Sequence, residues 1–320
     1  MRLRLAPEKT NIDFFRLQWI TFGGSAVLTV LAIVLWIVMG LNFGIDFKGG
    51  TTIRTESTQK VDVGVYRQAL SGMQLSDVVI TEVFDPTFGP EKNVALIRIA
   101  PLEGVASVTP EVVAQVEAAL NTIDPAMTFP SVESVGPKVS GELVWSAVLA
   151  MIAATVGILL YIWLRFEWQF AVGAVLALVH DVFITVGIFA LFQIKFDLTI
   201  IAALLTILGY SINDTVVVFD RLRENLIKYK VMPLRDVMNL SVNETLSRTL
   251  MTSFTTLLAL FSMLIFGGDV IRGFAFAITV GVILGTYSSV YVAKNLVLMI
   301  GLDRSDKPKT GKGQYANIDA

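Results

Sequence analysis

No cysteine occurs anywhere in the 320 residues, which excludes disulfides, thiol catalysis and cysteine metal sites and leaves the redox compartment open. Charge is scarce as well. Asp, Glu, Lys and Arg make up only 16% of the chain, against roughly a quarter in soluble domains. The net charge of -2 says little about partners, because in so apolar a chain the distribution of charge outweighs its sum. No A-x-A-like cleavage site follows "WIVMGLNFG", and the apolar run before it is too long for a signal-peptide core. The run reads as an uncleaved anchor helix. Gly49-Gly50 lacks both the G-x-G-x-x-G spacing and a following helix, so it predicts a tight turn into a strand rather than a phosphate loop.

What is abundant is apolar sequence, at 54% of residues with a mean hydropathy of +0.68. Six runs approach or exceed the roughly 18–20 residues that cross a bilayer as helix. They fall near 20–39, 143–164, 170–192, 198–218, 249–266 and 273–300. An integral membrane protein with six spans is expected, lying in a lipid bilayer. Lys and Arg concentrate before the first run, between the fourth and fifth, and after the sixth. Six spans put these three regions on one side, which the positive-inside rule makes cytoplasmic. The expected division is a cytoplasmic N-terminus 1–19, a span 20–39, an outer domain 40–138, and spans over 139–301 with a cytoplasmic loop 220–247. A disordered cytoplasmic tail, 302–320, completes it.

Residues 40–138 have a soluble composition. "IDFKGGTTIRTES" runs into a strand, and "VDVGVYRQAL" has helical spacing. "DVVITEVFD" and "KNVALIRIA" are strand-like and joined by a loop with Pro86, Gly89 and Pro90. "TPEVVAQVEAAL" carries helix-start signals, and "MTFPSVESVG" is a last strand with Pro130 at an edge or bulge. The order β-α-β-β-α-β predicts an α+β ferredoxin-like domain. That fold alone does not specify a function.

An ionisable side chain inside a span costs about 2.5–3.5 kcal/mol on insertion scales, so it marks a candidate site. Asp214 stands in the fourth run, separated by "TVVVF" from Asp220. Thr206, Tyr210 and Asp214 recur every four residues, flanked by Ser211 and Asn213, as a polar stripe suited to a proton or ion path. Termination of the span near the interface is the rival reading of Asp214. Arg248 opens the fifth run and shares a helix face with Thr252 and Thr255 or Thr256. It reads either as an interfacial anchor or as a partner reaching Asp214 from a neighbouring helix. His180-Asp181 interrupts the third run near its middle, for helix packing or for proton carriage. Gly281, Gly285 and Ser289 form a small-residue seam for close helix contact.

"GIDFKGGT", "HDVFITVGIF", "GYSINDTVVVFDRLREN", "LSRTLMTS" and "GTYSSVYVAK", in that order, resemble the SecF family from about residue 16 to 300. The resemblance implies six membrane helices, a ferredoxin-like periplasmic domain between the first two, and the inner membrane of a bacterium. It implies SecD as obligate pseudo-symmetric partner, the SecYEG channel, YajC and YidC as further associates, and unfolded secretory polypeptide as cargo. The family uses the proton-motive force after the SecA-driven step and is not a class of enzymes. No cofactor, metal or nucleic acid is implied, only protons as coupling ion. The family's relay residues carry over as Asp214 of "NDT" and Arg248 of "RTL". Around them His180, Asp181, Asn213, Tyr210 and Thr252 are candidates for support.

Three other functions remain open from sequence. Half of a related proton-coupled exporter would call for a larger outer domain. An intramembrane aspartyl protease would need Asp181 and Asp214 to face each other. A passive scaffold for SecD would use the buried charges only to fix helix register.

Overall fold

The computed structural model describes residues 10–73, 75–83, 93–101 and 108–302, without the side chains of residues 269 and 270. The expected Pro86–Pro90 loop and nearly all of the tail lie outside that set. Six helices among the described residues are long and apolar enough to cross a membrane. The protein is a multi-pass membrane protein.

Helix α1 (Gln18–Met39) ends at Gly40, and a two-residue strand β1 (Asn42–Phe43) follows. The short helix α2 (Ile45–Lys48) closes on Gly49, and β2 (Gly50–Ser57) starts at once. Gly49 and Gly50 have φ of 71° and 112°, backbone that favours glycine, and a Cβ at Gly50 would run into the Ile99 carbonyl oxygen. The pair is the sharp entry to a strand. After α3 (Val63–Leu70) come β3 (Val78–Val83), β4 (Asn93–Ile99), α4 (Pro110–Asn121) and β5 (Thr128–Val135). The sheet order is β3-β4-β2-β5, with each neighbouring pair antiparallel.

Alternate residues of β2 and β4 face the two helices. Ile53, Ile97 and Ile99 pack there with Tyr66, Leu70, Val116 and Leu120. The other sheet face is more polar. Thr52, Arg54, Ser131 and Glu133 look across a cavity of about 750 Å³ toward the membrane helices.

Asp124 closes the domain core behind α4. Its carboxylate accepts from Ser57 Oγ at 2.6 Å, from Ala126 N at 2.9 Å, and from Thr58 N and Oγ1, both at 2.9 Å. These donors, Ser57 foremost, hold its pKa well below the usual carboxylate range. The sign follows from linkage: a depressed folded pKa adds stability at every pH above the unfolded value of about 3.9 and loses it on acidification. Asp124→Asn should therefore lower the unfolding temperature of the purified chain at pH 7. The gap from wild type should narrow steadily below about pH 4. A gap that is the same at pH 3 and pH 7 would show that the carboxylate's charge is irrelevant.

The remaining spans are α5 (Pro137–Arg165), α6 (Trp168–Phe192), α7 (Leu198–Lys228) and α8 (Leu234–Phe266). The last span comprises α9 (Gly268–Ser288), a π-helical turn Ser289–Ala293, and α10 (Lys294–Ile300). Helices α7 and α8 run on through the charged stretch expected as a loop, leaving only Tyr229–Pro233 between them. Hydropathy marks where an apolar run ends, and here the helices outlast their apolar runs. Helix α7 packs against α6, α8 and α9. The glycine seam of α9 lies on α7, where a Cβ at Gly281 would run into Ile207 and one at Gly285 would lie 3.0 Å from Ser211 Cβ.

The domain is tied to one end of the bundle. Strand β1 pairs in parallel with β6 (Lys195–Phe196), just before α7. Arg98 donates to the Phe43 carbonyl at 2.8 Å. Asp46 accepts from the Leu198 backbone N–H at 3.0 Å, satisfying one of the free donors at the start of α7.

Candidate functional site

Three of the bundle's polar side chains meet around Asp181. This residue is fully buried on α6, and its Oδ2 accepts from Ser211 of α7 and Ser288 of α9, each at 2.7 Å. Its Oδ1 shares a hydrogen bond of 2.8 Å with His180 Nδ1. One carboxylate thus joins three spans, while His180 Nε2 is buried without a hydrogen-bond partner among the described residues.

Asp214 lies one turn along α7 from Ser211. It is 2% exposed, and its Oδ2 has no hydrogen-bond partner among the described residues. Arg248 acts on it through space, yet no ion pair joins the two among the described residues. Arg248 itself is exposed. With Asn213, Thr245, Glu244 and Arg221 it lines an open cleft of about 560 Å³ between α5, α7 and α8. Glu244 closes the charged end of that cleft, accepting from Arg221 Nε and Asn225 Nδ2, both at 2.7 Å.

The polar stripe does not stay on one face. Four-residue steps on a helix of 3.6 residues per turn drift by about 40° each. Thr206 is exposed, Tyr210 is half-buried and Asp214 is inside. Thr206 satisfies its hydroxyl on the Ala202 carbonyl within its own helix. Tyr210 donates to Ser253 Oγ at 3.4 Å, and Ser253 pairs with Thr286 at 2.6 Å, which links α7, α8 and α9. Thr252 donates to the Thr249 carbonyl and Thr255 to the Met251 carbonyl, so neither hydroxyl is turned toward Asp214. Asn213 is exposed beside Arg248 in the cleft.

Two functional classes are narrowed by this geometry. Asp181 spends its oxygens on Ser211, Ser288 and His180, so Asp181 and Asp214 form no facing carboxylate pair. Among the described residues no group of His, Asp or Glu could hold a metal ion. What the site can do is hold a buried carboxylate within electrostatic reach of an exposed guanidinium at the edge of a cleft.

The family described as "Protein export membrane protein SecD/SecF, C-terminal" matches residues 115–303, and "SecD/SecF GG Motif" matches 34–61. The protein translocase subunit SecF of Cereibacter sphaeroides is 68% identical over all of this chain and 99% of its own length.

The chain belongs to the SecF family.

The SecF of Rhodobacter capsulatus is 67% identical over 98% of the chain. The protein translocase subunit SecDF of Brucella abortus is 39% identical, with this chain aligned to 42% of it. In that relative a SecF-like part is fused into a longer polypeptide. The crystal structure of SecDF from Thermus thermophilus, titled a translocon-associated membrane protein, matches 94% of the chain at 37% identity and a TM-score of 0.83. SecDF in a super-membrane-facing form has the same identity and coverage but a TM-score of 0.67. The two solved forms match this chain equally in sequence and unequally in shape. The chain spans about 40% of the length of those SecDF chains.

Sequence reasoning missed two polar residues of the bundle. Asp46 stands in the quoted "GIDFKGGT", but its partner is 152 residues away. Lys294, at the end of "GTYSSVYVAK", reads as an ordinary interfacial lysine and is in fact fully buried.

Proposed function

We propose that the chain acts as the SecF subunit of a SecDF-type complex in the bacterial inner membrane. There it pairs with SecD and draws on the proton-motive force to assist polypeptide export through SecYEG after the SecA-driven step. Asp214 is the proton-carrying group and Arg248 its regulating cation. Asp181, with His180, Tyr210 and Thr252, serves helix register, while Asn213 faces the partner. Protons are the coupling ion, no cofactor takes part, and the chain performs transport rather than enzymatic catalysis. YajC and YidC are further candidate partners, and the cargo is unfolded secretory polypeptide on the periplasmic side.

One observation carries this reading. Thr206, Asn213 and Arg248 are exposed on the α5–α7–α8 side of a bundle that also exposes many large apolar side chains. A polar row facing hydrocarbon is expensive, so a second membrane subunit covers it. The fused Brucella and Thermus relatives supply the kind of partner, a SecD part in the same polypeptide. The βαββαβ unit, with its sheet order β3-β4-β2-β5, supports a ferredoxin-like domain, assigned here to the periplasmic side.

Sidedness is tested by labelling. The chain has no cysteine of its own, so single cysteines report cleanly. A cysteine at Val231, in the turn between α7 and α8, should resist an impermeant maleimide in intact cells, and one at Ser131 should react. Reaction at position 231 from outside would overturn the orientation. Copurification of the chain with a SecD-like protein and SecYEG from native membranes tests the assembly.

A further inference from the structure

Lys294 is 0% exposed, and its Nζ has no hydrogen-bond partner among the described residues. It sits among rings instead, 3.7 Å from the centroid of Phe15, 5.5 Å from Phe14 and 5.7 Å from Tyr291. The charges it feels are Asp13 and Arg235, and the Arg235 guanidinium also lies over Phe15, at 5.2 Å. A buried lysine head group held against three π faces is a strong constraint on those rings.

Phe14 and Phe15 belong to a segment that crosses the basic end of the bundle ahead of α1. Two asparagines of α8 hold it. Asn243 Oδ1 accepts from Thr10 Oγ1 at 2.7 Å and Ile12 N at 2.8 Å, and Asn243 Nδ2 donates to the Ile12 carbonyl at 2.8 Å. Asn239 donates to the same carbonyl at 3.0 Å and accepts from Phe14 N at 2.9 Å. The segment is therefore a strap, bonded to α8 on one side and caged around Lys294 of α10 on the other.

The residue is placed where it matters mechanically. It directly follows the π-helical turn Ser289–Ala293, and such turns in long helices are local weak points associated with functional sites. Just before that turn, Ser288 binds Asp181. The last span is thus fixed above the turn by Asp181 and below it by Lys294.

We propose that Lys294 is a positioning residue that fastens the strap Thr10–Phe15 to the last span. The basic ends of α8 and α10 then move as one body, and the span flexes only at its π-helical turn. Flexing there shifts Ser288 against Asp181, and through Ser211 it shifts the turn of α7 that carries Asp214. The strap stays closed throughout the cycle. The export arm of the test rests on the proton-coupled function proposed above, whereas the cross-linking arm does not.

The test uses Thr10→Cys with Asn243→Cys, two side chains already in contact, in the full chain with its SecD partner in vesicles. Disulfide formation should be fast with native Lys294 and with Lys294→Arg, and about ten-fold slower in Lys294→Met, which keeps volume but loses the cation–π contact. Phe15→Leu should slow it likewise, and the double variant should be no slower than either alone. Gradient-dependent export should fall in Lys294→Met and return when the disulfide is formed, because a covalent fastener replaces the cage. The double-cysteine chain with native Lys294 should export normally once cross-linked, because the disulfide replaces the Asn243 hydrogen bonds that the substitution removes. An unchanged cross-linking rate in Lys294→Met overturns the proposal, as does a loss of export that oxidation does not restore. If native chain gives no gradient-dependent export at all, the proton-coupled reading fails while the cross-linking rates still decide the strap.

Discussion

Asp214→Asn should assemble with its SecD partner at normal levels and lose the proton-gradient-dependent part of export. The substitution keeps the size and shape of a side chain that is 2% exposed, and it fixes the site neutral. Asp214 Oδ2 has no hydrogen bond to lose, so little in the fold should change. What changes is the ability to gain and release a proton. The charge state of such a carboxylate depends on how closely protein surrounds it and how near the Arg248 guanidinium stands. Arg248 lines an open cleft and is not locked to Asp214 by an ion pair, so its distance is free to vary with conformation. Arg248→Met should give the same loss, and Arg248→Lys a partial one, because an ammonium keeps the charge without the planar fork. The assay is export into membrane vesicles with and without an imposed proton gradient. ATP-driven translocation alone should continue in all three variants. Full gradient-dependent stimulation by Asp214→Asn would leave the chain a scaffold for its partner.

Asp181 should fail differently. Asp181→Ala strips the acceptor from two buried serine hydroxyls and a histidine, and each orphaned group costs about 1–3 kcal/mol. Loss of heat stability and of assembly is expected, with or without a proton gradient. Asp181→Asn retains one oxygen to accept from Ser211 and Ser288, and its amide can donate to a His180 tautomer with Nδ1 free. It should fold and export at near wild-type levels. His180→Gln should also keep substantial export, since an amide replaces the single hydrogen bond that His180 makes. Thermal unfolding in detergent and the vesicle assay, read together, separate the roles. A stable, assembled Asp181→Asn complex that has lost only gradient-dependent stimulation would move Asp181 from helix register into the proton path.

Much of this was legible in the sequence because membrane spans announce themselves by length. The apolar runs near 170–192 and 198–218 sit inside α6 and α7, and Asp214 stood out as charge within hydrocarbon. The helical ends at 219–228 and 234–248 were not legible. Their charges end the hydropathy signal without ending the helix. Strands β1 and β6 are two residues each, too short for any periodicity to register. The Asp181 cluster was half legible: its carboxylate is visible in sequence, but Ser211 and Ser288 are common residues that only packing brings together. Lys294 gave no signal at all. A cation at the end of a span looks the same whether it snorkels to water or is roofed by a distant strap.

The contact between Asp46 and the first turn of α7 has a mechanical consequence. An unbroken helix without proline runs from Leu198 to Asp214, about 24 Å of stiff rod, and continues to Lys228. Strand β5 also runs into α5 through Gly136 alone, so the sheet domain is joined to the bundle covalently at α5 and by Asp46 and the β1–β6 pair at that rod's tip. A tilt of the domain therefore levers the tip of α7 against α5, with no slack linker between domain and membrane helices to absorb it.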